Sequence, residues 1–179
     1  MYDQLIDSII SARKIKCGDH TVYHLFNCFT EQELKTFEEP YTHAGTPVPM
    51  QEHKPRLQFP DGPFVHGFNQ SKLLETFNAE FNKSCKEVMP IFWEDREGYK
   101  IDRHIDNDAV PSAIQIYLPS NASSTSGTRF LDESTSTEVV IPFKPNTGYI
   151  CPESTKILHE SGDPVGKGLT RRSLYIIIV

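Results

Sequence analysis

His104 and Asp106, in the run Tyr99-Lys-Ile-Asp-Arg-His-Ile-Asp106, are followed much later in the chain by His159 and then by Arg171. Two imidazoles and one carboxylate form the ligand set of a facial triad, which holds Fe(II) on one side and leaves positions open for substrate and oxygen. On an extended strand, residues two apart project from the same face, so His104 and Asp106 can grip one ion. His-x-Asp by itself is a common pattern, and polar strand ends or turns account for most of its occurrences. The order and context of all four residues give it weight.

These residues lie in a stretch of short strands separated by turn residues, the pattern of a sandwich or barrel. The expected strands are Tyr99–His104, Ser112–Leu118, Thr128–Leu131, Glu138–Phe143, Gly148–Cys151, Lys156–His159 and Arg172–Val179. Turns are expected at Asp108–Pro111, Pro119–Gly127, Pro145–Thr147 and Ser161–Gly168. Such a series closes into a jelly roll, whose interior can hold a ligand at one open end. Asn121-Ala-Ser-Ser-Thr-Ser-Gly127 reads as a flexible hairpin connection.

The first half is mixed. Thr21–Phe26 predicts a strand, and Thr30 with Glu33 three residues on predicts a capped helix running to about Glu39. A second helix is expected from Ser71 to about Val88. Between them, Pro40 to Gly67 is rich in Pro, Gly and His and reads as a long irregular segment, the kind that serves as a lid or binding loop. His43, His53 and His66 are expected to be exposed loop histidines. The whole chain is expected to form one domain, with 1–92 supplying support and a variable substrate loop and 93–179 the jelly-roll core.

Composition narrows the function classes. The chain has 179 residues and a formal charge of −6, with no Lys/Arg run, which argues against nucleic acid or an acidic membrane as the main partner. No stretch approaches the roughly 18–20 apolar residues of a membrane span, and the N-terminus lacks the basic and apolar regions of a signal peptide. A cytoplasmic location is therefore expected. Cys17, Cys28, Cys85 and Cys151 are too scattered for a zinc knuckle or a CxxC pair and read as buried or inert thiols. Gly162-Asp-Pro-Val-Gly-Lys-Gly168 has the wrong glycine spacing for a phosphate loop, and its Lys is followed by Gly.

From Trp93 to Val179 the chain resembles the Fe(II)/2-oxoglutarate-dependent dioxygenases, especially their prolyl 4-hydroxylase-like branch. The resemblance is carried by Gly98-Tyr-Lys-Ile-Asp-Arg-His-Ile-Asp-Asn107, Ile116-Tyr-Leu118, Gly127-Thr-Arg-Phe130, Pro145-Asn-Thr-Gly148, Leu158-His-Glu160 and Thr170-Arg-Arg-Ser-Leu174, in the family's order. It implies a mainly β fold, a double-stranded β-helix with supporting N-terminal α-helices. It implies His104, Asp106 and His159 as metal ligands and as the catalytic centre. It implies Arg171 and Ser173 as ligands of the distal carboxylate of 2-oxoglutarate, with Tyr117 donating to the same carboxylate. The implied reaction consumes O2 and decarboxylates 2-oxoglutarate to succinate, oxidising an unactivated C–H bond of a small-molecule or peptide substrate, such as peptidyl or free proline. Two departures stand out. Ser126 replaces a glycine often found before the strand at Thr128, and the gap from His159 to Arg171 is long enough that Arg172 is an alternative to Arg171.

Elementary chemistry fits those roles. A dicarboxylate with one end on a metal needs a cation at the other, and a guanidinium fork matches a carboxylate bidentately. Arg171 and Ser173 share a strand face, as do Gln115 and Tyr117 on theirs. An unpaired Arg buried at the end of a barrel would be costly and so would argue for an anionic ligand. Arg56, Arg103 and Arg129 either face the pocket or, as the favoured reading, are solvated strand or loop charges. A cupin-type metal enzyme that does not use 2-oxoglutarate, and a non-enzymatic jelly-roll binding module, remain as alternatives.

Overall fold

The computed structural model describes residues 2–48, 55–59 and 69–179. Their elements run α1 (Asp3–Ile10), β1 (Arg13–Cys17), β2 (His20–Phe26), α2 (Glu31–Thr36), a 3-10 turn (Pro40–Thr42), β3 (Thr46–Pro47), β4 (Arg56–Phe59) and α3 (Gln70–Phe81). Then come β5 (Val88–Asp95), β6 (Ser112–Leu118), β7 (Thr128–Asp132), β8 (Thr137–Ile141), β9 (Thr147–Cys151), β10 (Leu158–Ser161) and β11 (Arg171–Ile178). An eight-stranded sheet has the order β1-β2-β9-β6-β11-β5-β4-β3, and a three-stranded sheet has the order β10-β7-β8. All pairings are antiparallel. Two opposed sheets with this strand mixing are the double-stranded β-helix that the sequence leads one to expect.

The large sheet is covered on both faces, because alternate residues of its central strands serve two cores. On one face Leu174, Ile176 and Ile178 of β11 and Ile114, Ile116 and Leu118 of β6 pack with Leu5 and Ile9 of α1 and Leu73 and Phe77 of α3. On the other face Tyr117 and Tyr149 join Phe130, Val139 and Ile141 from the small sheet. Each fully buried aliphatic or aromatic side chain contributes about 1.5–3 kcal/mol of transfer free energy, so both layers hold β6 and β11 in place. Gln115 and Tyr117 of β6 and Arg171, Ser173 and Tyr175 of β11 lie on the second face.

Several expected elements move. The helix expected to reach Val88 stops at Phe81, where Asn82 takes a left-handed conformation with φ of 50°. Asn78 then bonds the backbone of Cys85 in both directions, and Val179 O accepts from Lys86 N and Glu87 N, which delivers Val88–Asp95 to the sheet as a strand. That strand crosses the expected boundary at 92/93, and β1, β2, β3 and β4 from the first half all pair into the large sheet. The helix begun by Thr30 has its capping box but ends at Thr36. Tyr99–His104 is not a regular strand: only His104 forms a bridge, to His159.

The segment 121–127 is not a flexible hairpin. It carries the chain from the large sheet to the small one and is pinned by Asn121 Oδ1 accepting from Thr170 N, by Ser124 O accepting from Phe143 N and by Thr125 O accepting from Asp163 N. Gly127 is required there, since a Cβ would sit 2.0 Å from Ile141 O. Pro40–Gly67 contains the 3-10 turn, β3 and β4; His43 is exposed, while His53 and His66 lie outside the described residues. Among the described residues no helix is long and apolar enough to cross a membrane, and all four cysteines are free.

Candidate active site

The His104–His159 bridge does the positioning. His104 N donates to His159 O at 3.0 Å and His159 N to His104 O at 2.8 Å, so two residues 55 positions apart are locked side by side. Asp106 N donates to Ser154 O at 3.2 Å, which brings the carboxylate in beside them. The ligand atoms of His104, Asp106 and His159 all lie within 4.8 Å of one another. Asp106 Oδ1 is 3.6 Å from His104 Nε2 and 3.7 Å from His159 Nε2.

Both rings are held in the same way. His104 Nδ1 lies 2.8 Å from Asp102 O, and His159 Nδ1 lies 3.1 Å from Ile157 O. A ring nitrogen that donates to a carbonyl must carry the proton, which leaves each Nε2 lone pair turned toward Asp106, as metal ligation requires. Burial pushes the His159 pKa down and outweighs the opposing pull of Asp106, while His104 lowers it further, so the neutral ligand form is favoured. The other carboxylate oxygen, Asp106 Oδ2, accepts from the Tyr175 hydroxyl at 3.4 Å.

These groups open onto a cavity of about 440 Å³, within the usual range for small-molecule sites. Its apolar wall includes Ile91, Trp93, Ile101 and Val110, and its polar wall includes Gln115, Thr128, Tyr149 and Arg171. Arg171 is buried on the cavity face of β11, while Arg172 turns to the other face, pairs with Glu94 at 3.0 Å and lies over the Tyr41 ring. The neighbouring arginines are therefore distinguished: Arg171 belongs to the cavity.

Arg171 is not unpaired, however. Its Nε and Nη2 lie 2.9 and 2.8 Å from Asp95 Oδ2, and its Nη1 donates to the carbonyls of Ser126 and Gly127. Asp95 also meets Arg56, at 2.5 Å from Nε to Oδ1 and 3.0 Å from Nη2 to Oδ2. Arg56 is thus not a solvated charge: it is 8% exposed and lines the cavity, sandwiched against Trp93 and Tyr99. Burial would raise the Asp95 pKa, yet the two guanidiniums overcome this and hold it below the usual carboxylate range. The charge argument accordingly rests on three groups, two cations and one anion.

Tyr117 and Ser173 stand one bond behind the cavity wall. The Tyr117 hydroxyl shares a 2.9 Å hydrogen bond with Thr128 Oγ1, and Ser173 Oγ accepts from Gln115 Nε2 at 3.2 Å. Gln115 Oε1 in turn accepts from the Tyr149 hydroxyl at 2.7 Å. Arg103 and Arg129 are surface ion pairs with Glu133 and Asp163, as expected of solvated charges. Sequence reasoning missed Asp95 and Tyr175 as site residues, and for Arg56 it favoured a solvated charge over a place facing the pocket. Tyr175 was within reach, being two residues beyond Ser173 on the same strand face.

No protein-family model matches the chain, and no curated protein matches it in sequence. Among solved structures, a Pseudomonas putida prolyl-4-hydroxylase superposes with a TM-score of 0.67 at 14% identity, covering 99% of this chain and 98% of that one. A 2OG-Fe(II) oxygenase family oxidoreductase from Burkholderia pseudomallei gives 0.64 at 16% identity, covering 88% and 83%. A non-heme alpha ketoglutarate dependent epimerase from nogalamycin biosynthesis gives 0.62 at 9% identity, covering 99% and 82%. The chain shares the double-stranded β-helix fold of these proteins over nearly its whole length.

Proposed function

We propose that this protein is an Fe(II)- and 2-oxoglutarate-dependent oxygenase that hydroxylates an unactivated C–H bond of a peptidyl or free amino acid, with proline the first candidate. The observation that carries the reading is the convergence of His104, Asp106 and His159 within 4.8 Å at a cavity also lined by the buried cation Arg171. The donor set fits the metal: two imidazoles, each with its Nδ1 held by a backbone carbonyl, and one carboxylate suit a divalent first-row ion on one face. Bound there, Fe(II) supplies the redox chemistry that couples loss of carbon dioxide from 2-oxoglutarate to oxidation of the substrate.

The chain's own residues do the rest. His104 and His159 present Nε2, Asp106 presents Oδ1, and Tyr175 fixes the other oxygen of Asp106. Arg171 supplies positive charge in the cavity lining, with Tyr117 and Ser173 supporting Thr128 and Gln115 from behind. The apolar wall excludes water from the space in which a substrate carbon is oxidised. A small-molecule or peptide substrate and a cytoplasmic setting complete the reading, the latter supported by the four free thiols.

A metal enzyme that does not use 2-oxoglutarate is the second reading, favoured by one observation: Arg171 already has a carboxylate partner in Asp95. Anaerobic addition of Fe(II) and then 2-oxoglutarate separates the two. The oxygenase develops a weak visible charge-transfer band only with both, and on admitting air forms succinate. Metal binding without that band, and without succinate, favours the second reading.

A further inference from the structure

The cavity wall holds two buried guanidiniums and one buried carboxylate, and the two cations are not equally occupied. A guanidinium carries five N–H groups in a fixed planar fork. Arg171 spends its Nε hydrogen on Asp95 and its Nη1 hydrogens on the carbonyls of Ser126 and Gly127, with Nη2 in ion-pair contact with Asp95 at 2.8 Å. Arg56 spends only Nε and one Nη2 hydrogen, both on Asp95. Among the described residues no acceptor meets its two Nη1 hydrogens or its second Nη2 hydrogen. Its flat faces are closed by Tyr99 at 4.3 Å and Trp93 at 4.8 Å, so the Nη edge is what remains to offer.

We propose that Arg56, rather than the arginine of β11, is the principal anion-binding residue of the cavity and grips the distal carboxylate of 2-oxoglutarate through its Nη edge. The assignment rests on the oxygenase reading above. Asp95 neutralises one of the two cations, and a carboxylate entering the cavity neutralises the second, so the filled site has no unbalanced charge at this wall. Arg171 is then a positioning residue: it ties Asp95 to the carbonyls of Ser126 and Gly127 and so fixes the carboxylate against which Arg56 is aligned. The register supports this division, because Arg171, Asp95 and Arg56 are direct cross-strand partners on β11, β5 and β4.

The test is a binding cycle, read by calorimetry and by the anaerobic visible band of the Fe(II)-loaded protein. Wild-type protein, Arg56→Met, Arg56→Lys and Arg171→Met are each titrated with 2-oxoglutarate and with 2-oxopentanoate, which lacks the distal carboxylate. Wild-type protein should prefer 2-oxoglutarate about ten- to hundred-fold, the range for losing a charge-assisted bidentate contact. Arg56→Met should lose that preference while keeping Fe(II) affinity; Arg171→Met should keep most of it while lowering thermal stability. Arg56→Lys keeps the charge without the fork and should fall between, and it decides the matter if the Met variant does not fold. Preference unchanged in the Arg56 variants and lost in Arg171→Met overturns the assignment. Failure of wild-type protein to bind 2-oxoglutarate at all overturns the oxygenase reading instead.

Discussion

Tyr175 holds Asp106 by its outer oxygen: the hydroxyl donates to Oδ2 at 3.4 Å, and Oδ1 is left facing both imidazoles. Removing that hydroxyl without changing the ring frees the carboxylate to rotate. Tyr175→Phe should therefore weaken Fe(II) binding by about tenfold, the lower end for partners that orient a ligand. Metal titration with a thermal melt checks it; unchanged affinity would show that Asp106 is oriented by its backbone alone.

His104→Ala, Asp106→Ala and His159→Ala should each abolish Fe(II)-dependent succinate formation while leaving the far-ultraviolet circular dichroism intact, since each removes one of the three proposed metal ligands. His24→Ala, on the distant strand β2, is the control and should retain activity. Near-normal turnover in any triad variant would remove that residue from the metal site.

Arg172→Ala should leave 2-oxoglutarate affinity within about twofold of wild type, because its guanidinium faces Glu94 and Tyr41 rather than the cavity. Its cost is in stability, about 0.5–1 kcal/mol for a partly exposed ion pair stacked on a ring. A denaturant titration measures the second quantity and calorimetry the first. A large loss of 2-oxoglutarate affinity would put the face assignment of β11 in error.

Asp95 makes stability depend on acid. Its folded pKa lies below the usual carboxylate range, so its contribution is fully present above that range and is lost as pH falls through the range toward the depressed value. Urea unfolding at stepped pH should show stability falling below about pH 4, the ordinary range for an unfolded Asp. Asp95→Asn leaves two buried guanidiniums facing each other; it should cost about 3–5 kcal/mol at neutral pH and flatten the acid dependence. An equally steep acid dependence in that variant would assign the effect to other carboxylates.

The candidate triad stood out because its chemistry is local: a His-x-Asp pair and a distal His keep their meaning wherever the strands lie. The β-rich second half was legible because turn residues punctuate it. What escaped was long-range. Val88–Asp95 contains Pro90 and lies just past the expected helix, and pairing with β11 and β4 makes it a strand. Arg56 reads as a charge in a loop because nothing adjacent to it reveals Asp95, 39 residues away and directly opposite in the sheet. Tyr117 and Ser173 are on the expected strands and face, yet a residue's depth behind a cavity wall depends on its neighbours' side chains, which alternation alone does not specify.

The cross-strand row Arg171, Asp95, Arg56 has a further effect, on how the sheet finds its alignment during folding. Sliding β11 by one residue past β5 sets Arg171 against Arg96 and Arg172 against Asp95 in one direction, or Thr170 against Asp95 and Arg171 against Glu94 in the other, and both break the row of three. Either slip also turns Leu174, Ile176 and Ile178 toward the polar space and drives Ser173 and Tyr175 into the apolar layer beneath the helices. The mispaired arrangements thus lose the three-residue row and carry inverted surfaces, and they fall above the native alignment in energy. The ionic row that furnishes the site with its positive charge also acts as a proofreader of strand alignment.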